Sequence, residues 1–450
     1  MSEAGRLTLV LRYADVGIAT YASLRIVGQP SRTVTWVVEE PLLLAAIDEL
    51  AAAIPEPHGS ETRRDAIARA LATGPFATPD TELTVAYILG VLLIATPGWQ
   101  LLTECVSSPR ATLFVTPSAR LARVPWGLLA VPKSGPSKEE LVRARQAAIT
   151  ASGRVAARIP WQLANIGEHT DGHRLMELVD VMMAVPANIV HAPRTPAGWH
   201  TRQDRPPVLL LDPRVPGQRP DSALGSVLGR PSPESQLAQH FAELLERRSV
   251  LPEVDGAVHL FRRRDADRGW LAEMLAQTPS RLLYVGHASS ADDRADHAAL
   301  HLACTAAARG DADTIGDHRP LTASDLMSLR LPMPARVALL ACGSGGDYRF
   351  DEAAGLVAAM ILVGAQLVTA TLWSLPTTAA YRQFAAASGD AADPMADVVV
   401  AVDRAHESAE AGCAVNRWQR EQMRRWRDGD VTASPLYWAA LVTFAVDGAR

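Results

Sequence analysis

Paired cysteines are missing from this sequence. Its four thiols, at Cys105, Cys304, Cys342 and Cys413, share no common spacing, so neither a disulfide framework nor a zinc cluster is expected. No apolar run has bilayer length: the longest, Leu83–Ala95, falls well short of the roughly 20 residues that span a hydrocarbon core. The opening MSEAGRLTLVLRY alternates like a strand instead of placing basic residues before an apolar core. No secretory signal is read there, and a cytoplasmic protein with reduced thiols and no membrane contact is expected. The formal charge of −5 supplies no overall attraction to nucleic acid or anionic lipid, so direct nucleic-acid binding is not expected. There is no GxxxxGK[ST] loop, which excludes a nucleotide-driven reaction of the P-loop type. His297 and His301, in DHAALH with Asp292, Asp293 and Asp296 nearby, have the spacing that puts two ligands on one helix face. They lack the HExxH glutamate and a third dedicated ligand, so the stretch reads as a solvated loop running into a strand, and no metal or cofactor is expected.

Hydrophobic content of 48 % with 21 % charge is that of an ordinary globular chain, long enough for two or three packed units. Residues 7–13, 21–27 and 33–38 alternate apolar and polar side chains, which predicts a small antiparallel sheet. Pro41–Ile54 and Arg63–Ala72 carry helical spacing. Residues 1–80 thus read as an α+β docking or regulatory module. A long apolar helix near Leu83–Glu104, interrupted around Pro97, opens a second region, 81–205. It continues with ATLFVTPSARLARVPWGLLA, read as strand, turn and second strand, and with a polar insertion over 132–175. From 206 to 450 strands and helices alternate: strands at Val208–Leu211, Val258–Arg262, Leu282–Val285, Val337–Ala341 and Gln366–Leu372, with helices at Pro233–Arg247 and Arg268–Gln277. Continuous apolar strands between helices predict a parallel sheet covered on both faces. Ligand crevices in such sheets lie beyond the carboxyl ends of the strands.

Two strands end in reactive side chains. RLLYVGHASS stops at His287, and roughly 55 residues later VALLACGSGG stops at Cys342. A cysteine attacks a carbonyl as thiolate, and a nearby imidazole promotes that form and then protonates the leaving group. Gly286, Gly343, Gly345 and Gly346 allow tight turns and close approach of a substrate. Backbone N–H groups of Cys342 and Ala288 are placed to face a developing oxyanion. Cys105, Cys304 and Cys413 lack this context and are assigned to packing.

The segments LLYVGHAS and VALLACGSGG, with DEAAGLVAAMILVGAQLVTATLW and SPLYWAALVTFA, resemble the CHAT family of caspase-like, separase-related cysteine peptidases over about residues 105–450. TLFVTPSARLARVPWGLLA and LLLDP fit the same order. The resemblance implies an upstream caspase-like half without the dyad and a downstream protease half. It makes His287 the general base and Cys342 the nucleophile, and sets Asp351 and Glu352 as the acidic pair opening the next helix. It also implies one particular protein substrate, a regulatory protein partner, and a role in bacterial defence or cell death. Where the family often has glycine after the catalytic histidine, this chain has Ala288. Where separases carry acids after the tryptophan, LWSLPTT offers Ser374, Thr377 and Thr378, which implies a neutral or apolar residue before the scissile bond. Trp373 and Ser374 are the pocket candidates, and Asp212, after the first strand, is the acid that would overturn that expectation. Two other readings stay open: an inert scaffold of the same fold, and a nucleic-acid-responsive effector acting through WQREQMRRWR (418–427), which otherwise reads as an amphipathic helix with its arginine face in water.

Overall fold

The computed structural model describes residues 6–17, 19–107, 111–133, 165–219, 222–289, 294–341, 355–385 and 392–450. The fold is mixed α/β with a mostly parallel sheet flanked by helices, as the alternating pattern predicts. The chain divides into two compact units, one of residues 1–184, 384–387 and 419–439, the other of 185–383, 388–418 and 440–450.

In the first unit three strands, β1 (Thr8–Val16), β2 (Ala19–Ile26) and β3 (Gln29–Glu39), form antiparallel hairpins. β1 also pairs in parallel with β4 (Thr112–Thr116), which pairs in parallel with β5 (Asp180–Ala184). Alternation sends Leu9, Leu11 and Tyr13 of β1 and Ala22, Leu24 and Ile26 of β2 into the core. Thr78 caps the helix Pro79–Leu93. That helix ends where the Tyr13 hydroxyl and the Trp36 ring N–H, each 2.8 Å away, donate to the carbonyl of Leu93; Pro97 then starts the helix Thr96–Glu104. Among the described residues no single helix is long and apolar enough to cross a membrane, and these two, which qualify only together, are bent by 102°. The second strand expected within residues 117–126 is instead a pair of 3-10 turns, Ala119–Leu121 and Trp126–Leu128, because Pro117 and Pro125 withhold ladder donors. Helix Ala411–Arg427 belongs to this unit from Gln419 onward. Arg417, Arg424 and Arg427 are exposed, as the amphipathic reading expects, and Arg425 and Arg427 pair with Asp430 and Glu177; Arg420 alone turns inward and donates to Asp180 at 2.8 Å.

In the second unit β6 (Val208–Leu211), β7 (Arg281–Ser289), β10 (Arg336–Ala341) and β11 (Leu367–Thr371) run in parallel, with β7 between β6 and β10. β12 (Leu441–Ala445) closes antiparallel on β11. The end of β7 turns antiparallel to β8 (Ala299–His301), which pairs with β9 (Leu321–Thr322). Helix starts follow side-chain caps: Ser235, Asp267, Thr322 and Asp393 each accept a bond from an N–H in the first turn, satisfying donors the helix leaves open. The strand expected at Val258–Arg262 is a 3-10 turn, Ala257–Leu260, since Arg262 has φ +54 and a left-handed residue cannot extend a ladder.

Arg281 and Arg336 stand side by side at the feet of β7 and β10. The helix Pro394–Glu407 supplies what two buried like charges need. Asp403 accepts from Arg281 at 2.8 Å and from the His240 ring at 2.9 Å, and Arg336 donates to the carbonyls of His406 and Ala409, each at 2.7 Å. Burial would raise Asp403, but the Arg281 guanidinium and the His240 bond outweigh it and hold the carboxyl at about 2. Burial, then Arg336 and Arg281, push His406 down to about 3.

Both groups favour unfolding in acid. His406 stays neutral in the folded chain while its unfolded counterpart takes a proton below about 6.5, so stability falls as pH drops from about 6.5 toward 3. Asp403 adds stability above its unfolded value near 3.8 that is lost toward pH 2. Unfolding free energies from urea titration are therefore expected to fall from pH 7 to pH 4, with His406 alone contributing about 1 kcal/mol per pH unit below its unfolded value near 6.5. His406→Gln should make that slope shallower by about one proton, and an unchanged slope would contradict the assignment.

Candidate active site

β7 and β10 advance in register from Arg281 opposite Arg336 to Gly286 opposite Ala341. The next residues in sequence are His287 and Cys342. His287 is described; Cys342 lies outside the described residues, with Gly343, Gly345, Gly346, Asp351 and Glu352. β7 does not stop before the histidine, as the sequence pattern suggests, but continues to Ser289, because His287, Ala288 and Ser289 pair with His301, Leu300 and Ala299 of β8. His287 is thus a strand residue, paired with His301 of β8. The hydroxyl of Thr371, on β11, donates to the carbonyl of Ala341 and ties the end of β10 to its other neighbour.

The imidazole of His287 is 7 % exposed, and its Nε2 lies 2.9 Å from the carbonyl oxygen of Gly225. A carbonyl only accepts, so Nε2 carries the hydrogen and in the neutral ring Nδ1 keeps the lone pair. That tautomer suits a base. Beneath it, the Tyr284 hydroxyl, 2.7 Å from the carbonyl oxygen of His287, donates to that oxygen. His301, cross-strand from His287, donates through Nδ1 to Nε2 of His318 at 3.1 Å, and His318 donates through Nδ1 to the carbonyl of Cys304 at 2.8 Å. Burial first, then His318 and His287, push His301 down to about 3, so it sits next to His287 as a neutral ring. His297 belongs to a separate 3-10 turn, and Asp292 and Asp293 lie outside the described residues. Among the described residues no cluster of three His, Cys, Asp or Glu side chains is placed to hold a metal ion.

Asp212 lies at the end of β6, with its N–H 2.6 Å from the carbonyl of Val285 on β7. Its side chain is buried and already engaged: it accepts from the Ser226 hydroxyl at 2.6 Å and the Val227 N–H at 3.2 Å, and pairs with Arg262 at 3.3 Å. It is not an open pocket acid. Asp212 and Arg262 have φ +50 and +54, and left-handed backbone at such residues costs about 1–3 kcal/mol each. After β11, Trp373 is wholly buried and Ser374 is 6 % exposed. Thr377 caps the following helix, its hydroxyl accepting from the N–H of Ala380 at 3.2 Å. Thr378 donates to Asp393, an acid 15 residues on that also caps the helix Pro394–Glu407. Sequence reasoning missed Gly225, Arg262, Tyr284 and Asp393. Only Tyr284 left a signal, as the polar residue in LLYVGH. Cys105, Cys304 and Cys413 are all buried, and burial raises the thiols of Cys105 and Cys304. A cavity of about 600 Å³ lined by Trp199, Arg336, Gln366 and Glu410 opens at the amino ends of β10 and β11, away from His287.

These features define an α/β protein with a mostly parallel sheet and an oriented histidine toward the carboxyl end of an inner strand. Residues 92–446 match the CHAT domain family, and the chain belongs to it. Among solved structures it is similar to a chain of the Saccharomyces cerevisiae separase–securin complex, at 11 % identity and a TM-score of 0.41, covering 98 % of this chain and 30 % of that one. The chain therefore spans under a third of that relative's length. Among curated proteins no sequence match is found.

Gly286 has no room for a side chain, since a Cβ there would lie 2.7 Å from the Tyr284 hydroxyl oxygen. Gly286→Ala is expected to cost about 1–3 kcal/mol of stability by displacing that tyrosine, read as a lower urea midpoint. A variant as stable as the parent would show that the hydroxyl does not brace the strand end.

Proposed function

We propose that this chain is a cysteine endopeptidase in which Cys342 is the nucleophile and His287 the general base. The observation that supports it best is the register that sets Gly286 opposite Ala341, with His287 and Cys342 next in the two sequences. The imidazole bonded to Gly225 through Nε2 has Nδ1 ready to take the thiol proton. The thiolate adds to the scissile carbonyl, and the oxyanion is assigned to the backbone N–H groups of Ala288 and Cys342. The C–N bond breaks as the imidazolium returns its proton to the leaving amine. Water, giving a proton to the same nitrogen, then hydrolyses the thioester and restores the thiol.

Membership in the CHAT family suggests a single protein substrate, control by a protein partner docking on residues 1–80, and a place in bacterial defence or cell death; these come by analogy. An acidic side chain would be needed to offset the desolvation of a substrate arginine. Asp212 is spent on Arg262 and its own loop, Asp393 on Thr378 and a helix cap, so Trp373 and Ser374 are assigned to a pocket for a neutral or apolar residue.

A cysteine-directed electrophile such as iodoacetamide at pH 7 should label Cys342 far faster than the three buried cysteines, and His287→Ala should slow that labelling by about 10²-fold or more. Equal labelling of all four would favour an inert scaffold. Comparing protein N-termini generated by the parent and by Cys342→Ala should reveal cleavage after neutral or apolar residues. Cleavage after arginine would reject the pocket assignment while leaving the dyad intact.

A further inference from the structure

We propose that Asp212 and Arg262 are positioning residues for His287, acting through the carbonyl of Gly225; this rests on the reading of His287 as general base. Gly225 lies in an irregular stretch between β6 and the helix Gln236–Arg247, where no ladder fixes the direction of a carbonyl. Its orientation must come from elsewhere. The Asp212 carboxylate, 1 % exposed, accepts from the Ser226 hydroxyl at 2.6 Å and from the backbone N–H groups of Val227 at 3.2 Å and Leu228 at 3.5 Å. It thereby grips the three residues that follow Gly225. The same hydroxyl oxygen lies 3.0 Å from the carbonyl oxygen of Gly229, so its one hydrogen is shared between that carbonyl and the shorter bond to Asp212. Arg262 reaches with one nitrogen both Asp212, at 3.3 Å, and the carbonyl oxygen of Gly225, at 3.4 Å.

The carbonyl that orients His287 therefore stands between two donors. The second is kept electrically quiet by the carboxylate beside it. Without Asp212 the guanidinium would face, uncompensated, the imidazolium that forms when His287 takes a proton. Both residues hold left-handed backbone, and both are tied to the sheet: the N–H of Asp212 to Val285 of β7, at 2.6 Å, and that of Arg262 to Leu211 of β6, at 3.1 Å. Val285 precedes His287 by two residues on the same strand. Anchor and base thus share one frame, and the two strained conformations aim both side chains at the loop.

Glycine adopts φ near +50 without strain, so Asp212→Gly removes the carboxylate while sparing the backbone, whereas Asp212→Ala removes the carboxylate and keeps the strain. The full-length chain, labelled with ¹⁵N-histidine, is compared as parent, Asp212→Gly, Asp212→Ala and Arg262→Gly. Three quantities are read: melting temperature, the ring-nitrogen spectrum of His287, and the rate at which iodoacetamide alkylates Cys342. Asp212→Gly should melt no lower than Asp212→Ala, yet alkylation should fall by about tenfold or more in both. The His287 signal should change from a single Nε2–H tautomer to a mixture, in the Arg262→Gly protein as well. A single unchanged tautomer with parental alkylation in Asp212→Gly overturns the proposal, as does a lower melting temperature accompanied by an unchanged tautomer. Should either aspartate variant fail to fold, Arg262→Gly, which removes a partly exposed side chain, decides by the same tautomer signal. If His287→Ala alkylates like the parent, it is the protease reading that fails, and the tautomer spectra still decide whether Asp212 and Arg262 orient the ring.

Discussion

The lateral register between β7 and β10 is the constraint on which the candidate site depends. Parallel strands exchange evenly spaced bonds, and a slip of one residue would turn every side chain of β10 to the other face. Because all six residues of β10 are buried, such a slip has no cheap alternative. Gly286 therefore stays opposite Ala341, and the histidine and cysteine are the next residues in the two sequences. β8 on one flank and the Thr371 hydroxyl on the other fasten the two strand ends.

The opposite end of the same strands is held by charge. Two arginines side by side in a buried setting would repel, and the cost of desolvating them is large. Asp403, the His240 ring and the carbonyls at the end of the helix Pro394–Glu407 offset that cost, while Trp199 lies against Arg336 with the guanidinium carbon 3.5 Å from the ring centre. Arg336 is drawn down to about 10 by burial and by Arg281, so it remains a cation at neutral pH. This network pins the helix to the feet of the strands. Past the carboxyl end of β6 the described chain is irregular, and side chains there are aimed by local bonds instead of by a ladder. Asp212 and Arg262 are examples of that aiming, and their left-handed backbone records its cost.

Much of the fold was legible in the residues because periodicity reports burial directly. The three N-terminal strands, the helix Arg63–Ala72 and the apolar runs of β6, β7, β10 and β11 all lie where alternation or continuous apolar stretches indicated. The failures share a cause. Val258–Arg262 has the composition of a strand, but a left-handed residue at Arg262 stops it. Residues 117–126 look extended until the two prolines are counted. In the run 418–427 Arg424 and Arg427 face water as expected, and only Arg420 goes inward, to Asp180, a partner some 240 positions away that no local pattern could supply.

The same division holds at the site. The residues themselves determined that a histidine and a cysteine would each adjoin a buried apolar run beside glycine, since strand composition and flanking glycine are local properties. What only the tertiary structure decided is the company His287 keeps: the Gly225 carbonyl that sets its tautomer, the Asp212–Arg262 pair behind that carbonyl, and the neutral His301 at its side. Hydrogen bonds between segments tens of residues apart depend on how strands stack and loops close. That information resides in distances through space, which order along a chain does not encode one residue at a time.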